Sequence, residues 1–372
     1  MTAIYHLLEE AEPFSERYGG AISRWAANVL RDGPEEIVCP SFDDSWGFAA
    51  ERLYRLPHWA TTHRVHPILY RIPFTTQKAI YLPVFRPLLE RMSEGDILYV
   101  HNKPVCAAVL ATVVEKYGIR LVLHMHNSLL LRATKPQLAA LRDTTIVFCS
   151  EFLRQEALEA IPNHFTDTHL VYNGADNHKF RVVGNRQNLV PKVIFTGRLV
   201  SYKGPHILMR AMRILQERGI EGKCTIVGGS GFGSDSRTSY IRKLERLRPS
   251  NTEMVGYKVG AEVAQLVRDA DIFCCPSIWN DPFPLAPIEA MASGLPVVAS
   301  HTGGIPEALA YGGGVLVPPD DPTALANALQ KLIVNQPLRE SLGSDALHAF
   351  QEHFLWGNVR DQYQLVIESL VK

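Results

Sequence analysis

Short apolar runs recur along almost the whole chain, separated by stretches in which apolar residues return every three or four positions. The runs predict strands and the periodic stretches predict helices, an alternation that implies an α/β protein built on parallel sheets. In the first part the strands fall at Ala3–Leu8, Ile97–Val100, Leu121–Met125, Thr145–Cys149 and His169–Tyr172. The central ones have the unbroken apolar character of strands covered on both faces. Periodicity fails between Asn173 and Pro191, where Asn, Gly, Arg and Asp gather, so a domain connection is expected there. A second series follows at Lys192–Thr196, Lys223–Val227, Thr252–Val255, Ile272–Cys275, Pro296–Ala299 and Gly314–Val317. After Pro205 a helix should carry Ile207, Leu208, Ala211, Met212 and Leu215 on one face and stop at Gly219. No internal repeat or low-complexity tract is visible.

One stretch departs from this rhythm. Glu51 to Arg91 holds seven Arg/Lys and three His against two Glu, interleaved with Tyr54, Trp59, Tyr70, Phe74, Tyr81 and Phe85. It reads as an inserted surface subdomain, either a helical hairpin with solvated arginines or a platform for an anionic acceptor or lipid headgroups.

Composition narrows the function classes. With 372 residues the chain has room for two or three domains. Its 38 basic residues balance 38 acidic ones, which argues against a nucleic-acid partner. The six cysteines show no C-x-x-C spacing and sit mostly in apolar runs, as reduced core thiols do. The first residues are acidic after a short apolar stretch, unlike a signal peptide, and the apolar run Val105–Val114 is too short to span a bilayer. A cytoplasmic protein is expected, with peripheral contact at the cytoplasmic face of a membrane as an option.

Candidate chemistry lies just after the expected strands, where open parallel sheets bind ligands. FTGRLVSYKG places Arg198 and Lys203 in a loop that runs into a helix at Gly204-Pro205. A forked guanidinium and a mobile ammonium beside a helix N-terminus suit a diphosphate, although a solvated loop has the same spacing. Gly19-Gly20 opens a helix through Ile22, Trp25, Ala26 and Val29, as a phosphate turn or only a turn. Gly228-Gly229-Ser230-Gly231-Phe232-Gly233 follows another strand but does not match G-x-G-x-x-G, which disfavours a nicotinamide dehydrogenase. In WNDPFPLAPIEAMASG, Pro287 would take the first helical position and Glu289 the third, where a carboxylate caps. Capping does not explain why Asp281, Phe283 and Leu285 precede it in that order.

The run from Phe195 to Pro318 resembles the nucleotide-binding half of the family-4 retaining glycosyltransferases. It carries TGRL..KG (Thr196 to Gly204), the Gly-Gly loop at Gly228, VGY (Val255 to Tyr257), two acids eight positions apart, EAMASGLPVVAS (Glu289 to Ser300), GGIPE (Gly303 to Glu307) and a G-x-L-V-x-P ending at Pro318. Looser likenesses in the first half are VHNKP (Val100 to Pro104), LHMHNS (Leu123 to Ser128), CSEFLR (Cys149 to Arg154) and YNGAD (Tyr172 to Asp176).

The resemblance implies the GT-B architecture, two Rossmann-like domains facing a cleft. The domains would be an acceptor-side domain over 1–180 with the insertion at 51–91, a donor domain over 181–350, and a helix over 351–372 returning to the first. It implies that Arg198 and Lys203 bind the diphosphate of a nucleotide sugar, that Glu289 takes the ribose and that Asp281 takes sugar hydroxyls. Gly197, Gly228, Gly229, Tyr257, Lys258, Phe283 and Leu285 would line the donor. Gly20 would close on the phosphates and His126 would sit over the sugar. His101, Asn102 and Asn127 are expected on the acceptor side. For His126 the residue pattern leaves a core histidine open, and His124 shares its strand face. The reaction implied is retaining hexosyl transfer to a saccharide, a lipid-linked glycan or a small molecule. Fixed cations would replace a metal, and no cofactor is expected. The rivals are a non-catalytic glycan- or nucleotide-binding protein on the same scaffold and a nucleotide-sugar epimerase. The family's usual Glu-Gly-Phe-Gly-Leu is here Asp281-Pro282-Phe283-Pro284-Leu285, a shorter acid with two backbone donors removed.

Overall fold

A computed structural model describes every residue except 1, 9–13, 16–19, 40–45, 57–71, 183, 185–187, 232–235 and 372. Its contacts divide the chain into two compact units, one of Met1–Tyr172 with Val359–Lys372, the other of Asn173–Asn358.

In the first unit β1 (Ile4–Leu7), β2 (Glu36–Cys39), β3 (Leu53–Arg55), β4 (Ile97–His101), β5 (Arg120–Met125), β6 (Thr145–Phe148) and β7 (Thr168–Leu170) form one parallel sheet. Their order is β3-β2-β1-β4-β5-β6-β7. Every residue of β4 and β6 is buried, and the helix Pro104–Ala111 is buried at all positions from Pro104 to Leu110. That is why these segments read as apolar all round.

Strands β2 and β3 escaped the sequence reading. The first is a short EIVC run behind acidic residues, and the second, LYR, is a sheet edge with no fully buried residue. Of the stretch 51–91 expected as an insertion, the described residues hold β3 and one long helix. Leu53–Arg55 completes the sheet, and the helix Phe74–Arg91 buries Tyr81, Val84, Phe85, Leu88 and Leu89. Part of the positive charge serves the unit itself. Arg52 donates to the carbonyls of Leu30, Arg31 and Glu35, capping the end of the helix Ala21–Val29, and Arg91 pairs with Glu36 at 2.8 Å. Trp59, Tyr70 and the three histidines of this stretch lie outside the described residues.

In the second unit β8 (Lys192–Thr196), β9 (Lys223–Val227), β10 (Thr252–Gly256), β11 (Ile272–Cys275), β12 (Val297–Ser300) and β13 (Gly314–Val317) make another parallel sheet, ordered β10-β9-β8-β11-β12-β13. The helix Pro205–Glu217 buries Ile207, Leu208, Ala211, Met212 and Leu215, as its periodicity requires. Asn173 to Ala175, where the domain connection was expected, already pack within this unit, with the Ala175 N–H donating to the Phe354 carbonyl at 3.1 Å.

Both sheets are doubly wound from an inner strand outward in the 3-2-1-4-5-6 manner. The direction of winding reverses between β1 and β4 in one unit and between β8 and β11 in the other. The crevices at the carboxyl ends of those pairs are where such sheets bind ligands. From Val359 onward the last helix, Trp356–Val371, belongs to the first unit, where it buries Val359, Tyr363 and Val366. Arg360 fastens it by donating to the carbonyls of Asn28 and Val29 and pairing with Asp32. All six cysteines are free and buried. Among the described residues no helix is long and apolar enough to cross a membrane.

Candidate functional site

In the second unit the loops leaving β8, β9 and β10 are laced together at their first residues. The Gly197 N–H donates to Val227 O (3.0 Å), Leu199 N–H to Gly229 O (2.7 Å) and Gly228 N–H to Gly256 O (2.9 Å). So close an approach excludes side chains. Gly228 has φ +148°, and a Cβ there would lie 1.8 Å from Gly197 O. Gly204, at φ +74°, turns the chain into the helix Pro205–Glu217, and a Cβ on it would lie 1.8 Å from Pro276 O, beyond β11. The loops from the two strands flanking the winding reversal are therefore held together by backbone.

Lys203 and Asp281 meet across that reversal as an ion pair whose side chains are 20% and 7% exposed. Beside them Tyr202 and Trp279 pack edge to face with centroids 5.2 Å apart. The Lys203 ammonium lies 5.7 Å from the centre of the Trp279 ring, and the Arg198 guanidinium 5.7 Å from that of Tyr202. Ile278 N–H donates to Tyr202 O, and Gly304 N–H donates to Asp281 O at 2.8 Å. Gly303 (φ +59°) admits this clamp, since a Cβ would sit 2.3 Å from Asp281 O. Asp281 is thus fixed from three strands' loops at once.

Glu289 corrects one expectation. The helix begins at Leu285, two residues before Pro287, with Pro284 as its N-cap and no acid in its first turn. Glu289 is therefore past the capping positions, and its carboxylate is buried in the body of the helix. Leu285 supplies a first-turn N–H, and buried Phe283 lends its carbonyl to Asn173 Nδ2 at 3.1 Å. Tyr257 is half-buried after β10, and Lys258 pairs with Glu262 at 3.0 Å. Phe232 and Gly233 lie outside the described residues. The sequence also contains an Asp-x-Asp pair, Asp269 and Asp271. It stands at the opposite, amino end of β11, where Asp271 accepts from the Lys192 N–H and Asn188 Nδ2.

In the first unit the corresponding reversal holds a cluster of histidines. His101 ends β4, His126 follows β5, and His6 lies on β1. Tyr363 Oη meets His6 Nε2 at 3.0 Å, His6 Nδ1 meets His101 Nε2 at 3.0 Å, and His101 Nδ1 meets His126 Nε2 at 3.1 Å. On a side branch Tyr99 Oη meets His124 Nδ1 at 3.2 Å. Trp25 packs edge-on against His124 and Tyr363. Burial pushes His6 and His126 down to about 3, and holds His101 and His124 well below the ordinary imidazole range. These rings are neutral at pH 7.

Asn102, in the left-handed region at φ +56°, is buried and accepts the His126 N–H on its Oδ1 at 3.2 Å. Asn127 accepts from the Leu129 N–H at 2.9 Å, capping the turn Ser128–Arg132. His101 and Asn102 are thus placed under His126, as support. Gly20, buried, precedes the helix Ala21–Val29, and its partner Gly19 lies outside the described residues. Among the described residues His101, His124 and His126 are the one grouping of three side chains able to hold a metal ion. Both nitrogens of His101 are already taken by other imidazoles.

The sequence reading singled out neither Tyr202 and Trp279 nor His6 and Tyr363 for the site. Tyr202 and Trp279 could have been found as aromatics one and two residues from proposed charges. No local signal joins His6 to Tyr363, which are 357 residues apart in the chain.

Comparison with known proteins agrees with the geometry. Residues 176–348 match the family model described as "Glycosyl transferases group 1". The chain is 24% identical over 302 residues to spore coat protein SA of Bacillus subtilis (strain 168), covering 75% of this chain and 80% of that protein. It is 34% identical over 206 residues to the D-inositol 3-phosphate glycosyltransferase of Corynebacterium aurimucosum, covering 53% of this chain and 48% of that one. Among solved structures, Anabaena HepE in complex with UDP superposes with a TM-score of 0.76 at 19% identity, over 99% of this chain and all of that one; the same protein has been solved with UDP-glucose.

Proposed function

We propose, from the match of residues 176–348 to the glycosyl transferases group 1 and from the GT-B fold, that the chain transfers a hexose, with retention and without a metal, from a nucleoside diphosphate sugar to a hydroxyl acceptor. The observation that carries this reading is the ion pair of Lys203 with the buried Asp281, set among loops laced at the winding reversal of the second unit.

Glycosyl transfer of this kind needs charge placed where the leaving diphosphate develops it. Arg198 and Lys203 supply that charge, held on the Tyr202–Trp279 platform so that little reorganisation is required as the bond breaks. Gly197, Gly228 and Gly229 give backbone access for the phosphates. Glu289, buried but not needed as a cap, takes the ribose hydroxyls, and the backbone at Tyr257 and Lys258 meets the base. Asp281 has one oxygen on Lys203 and offers the other to the sugar. The Phe283 and Leu285 N–H groups replace donors that Pro282 and Pro284 cannot give. Front-face attack, with the acceptor proton passing to the departing phosphate oxygen, gives retention without a strong base. HepE's complexes support UDP as the nucleotide, and the inositol phosphate enzyme supports a small phosphorylated acceptor.

The test is a thermal-shift panel of UDP, GDP and ADP and their glucose or mannose conjugates, followed by transfer assays in EDTA. A ligand that binds only the native state raises the melting temperature. UDP and UDP-glucose should do so, and Arg198→Ala should abolish transfer. Stabilisation without transfer to any acceptor, or transfer undiminished in Arg198→Ala, would refute this reading.

A further inference from the structure

We propose that the second unit carries a binding site for a small phosphorylated sugar or polyol at the amino ends of β8, β9 and β10. This is the opposite end of the sheet from the laced loops, and the site uses none of the residues assigned to transfer.

Strands β8 and β9 run side by side from their first residues, with Lys192 in register with Lys223 and Ile194 with Thr225. Thr225 is in turn in register with Glu253 on β10. Positions two apart on a strand share a face, so these five side chains stand on one face of the sheet. In a parallel sheet both faces are normally covered and apolar. Here Lys223 and Glu253 are exposed and Thr225 is half-buried, so the face is left open at this end. A cavity of ≈ 350 Å³ occupies it, walled on the far side by Leu266 of the helix Gly260–Arg268.

The charges there are arranged for an anion. Two lysines directly opposite one another on neighbouring strands repel, and Arg248 brings a third cation to the same cavity. The acids nearby are engaged with neutral donors. Asp271 accepts from the Lys192 N–H at 2.7 Å and from Asn188 Nδ2 at 3.0 Å, Asp269 from Gln265 Nε2 at 2.8 and 2.9 Å, and Glu253 from the Thr225 hydroxyl at 2.8 Å. Among the described residues none of the three cations forms an ion pair with them. A phosphate monoester relieves the repulsion, taking two ammonium groups as point charges and the guanidinium as a fork.

The remaining lining selects the body that carries the phosphate. Glu253 and Asp269 line the cavity and keep lone pairs for hydroxyl protons. Ser250 accepts from Gln216 Nε2 at 3.0 Å and so has its own proton to give. Ile194 and Leu266 offer apolar surface to the C–H side of a sugar. The two carboxylates also repel a polyanion such as a nucleic acid. The volume is at the low end for small-molecule sites, which suits a phosphorylated monosaccharide better than a nucleotide sugar.

The experiment is scanning fluorimetry of the full chain in phosphate-free buffer with glucose 6-phosphate, fructose 6-phosphate, inositol 1-phosphate, inorganic phosphate and glucose. At least one of the three phosphorylated compounds should raise the melting temperature saturably, by roughly 5–10 °C at a hundredfold excess over its Kd. Glucose should have no effect, and inorganic phosphate should bind at least about tenfold more weakly. The response should vanish in the double variant Lys192→Gln, Lys223→Gln and persist in Arg198→Ala, which separates it from the proposed donor site. Without ligand, Lys223→Gln should melt no lower than the wild type, because a repulsion is removed. The proposal is overturned by no response to any of the three, by a response that survives the double variant or is lost in Arg198→Ala, or by equal affinity for inorganic phosphate. A fall of more than about 2 °C in ligand-free Lys223→Gln also overturns it, since the ammonium would then have a stabilising partner. No arm requires turnover, so an inactive chain would refute the proposed function and leave this result readable.

Discussion

Removing the Lys203 ammonium should unfold the second unit more readily than any loss of binding would suggest. In Lys203→Met the Asp281 carboxylate, whose side chain is 7% exposed, keeps its charge and loses its counter-ion. Breaking a buried pair from one side costs about 3 kcal/mol, because the stranded charge cannot be rehydrated. For a unit of this size each kcal/mol moves the midpoint by roughly 2–4 °C, so a fall of roughly 6–12 °C is expected. Asp281→Asn is milder, about 1 kcal/mol, since the lysine stem is long and its head is 20% exposed and can reach water. Lys203→Met with Asp281→Asn leaves no stranded charge and should recover most of the lost stability. The assay is scanning fluorimetry of the four proteins of this double-mutant cycle, read for the coupling term. If the single changes simply add, or if Lys203→Met melts within 2 °C of the wild type, the pair does not fix the Asp281 loop and the account of the site fails.

Three further outcomes are expected. Gly228→Ala forces a side chain against Gly197 O at an unfavourable φ; it should cost about 3 kcal/mol and depress nucleotide affinity, both visible by thermal shift with and without UDP. Glu289→Gln keeps its shape but weakens charge-assisted bonds to the ribose, so the donor KM should rise roughly tenfold with kcat little changed in initial-rate assays. His6 and His126 are held down to about 3 against an ordinary 6.5, so the unfolded chain binds protons first. Their contribution to stability is complete above about pH 6.5 and is lost as pH falls toward 3; melting temperatures flat from pH 7 to 5 would contradict this.

What the sequence revealed followed from how local each signal is. Strands buried on both faces announce themselves by composition, so β4, β5, β8 and β11 were legible, as was the helix behind β8. Edge strands carry mixed residues, and β2 and β3 went unread. Arg198, Lys203, Asp281 and Glu289 could be chosen because their motifs are contiguous. That Lys203 and Asp281 are partners could not, since they are 78 residues apart and meet only because β8 and β11 are neighbours in the second sheet. The helix start at Leu285 was misjudged because proline is common at a first helical position, whereas here Pro287 sits at the third and two further prolines precede it.

The last helix has a temporal consequence. The first unit is closed by Val359, Tyr363 and Val366, which leave the ribosome only after the entire second unit has been made. At 5–20 residues per second the interval is on the order of 10–40 s. Throughout it the groove that receives those side chains stands open, so the unit synthesised first is the one that finishes folding last. A nascent chain stalled before Val359 should hold a complete second unit, while its first unit, lacking the strap, remains open to protease and to chaperones.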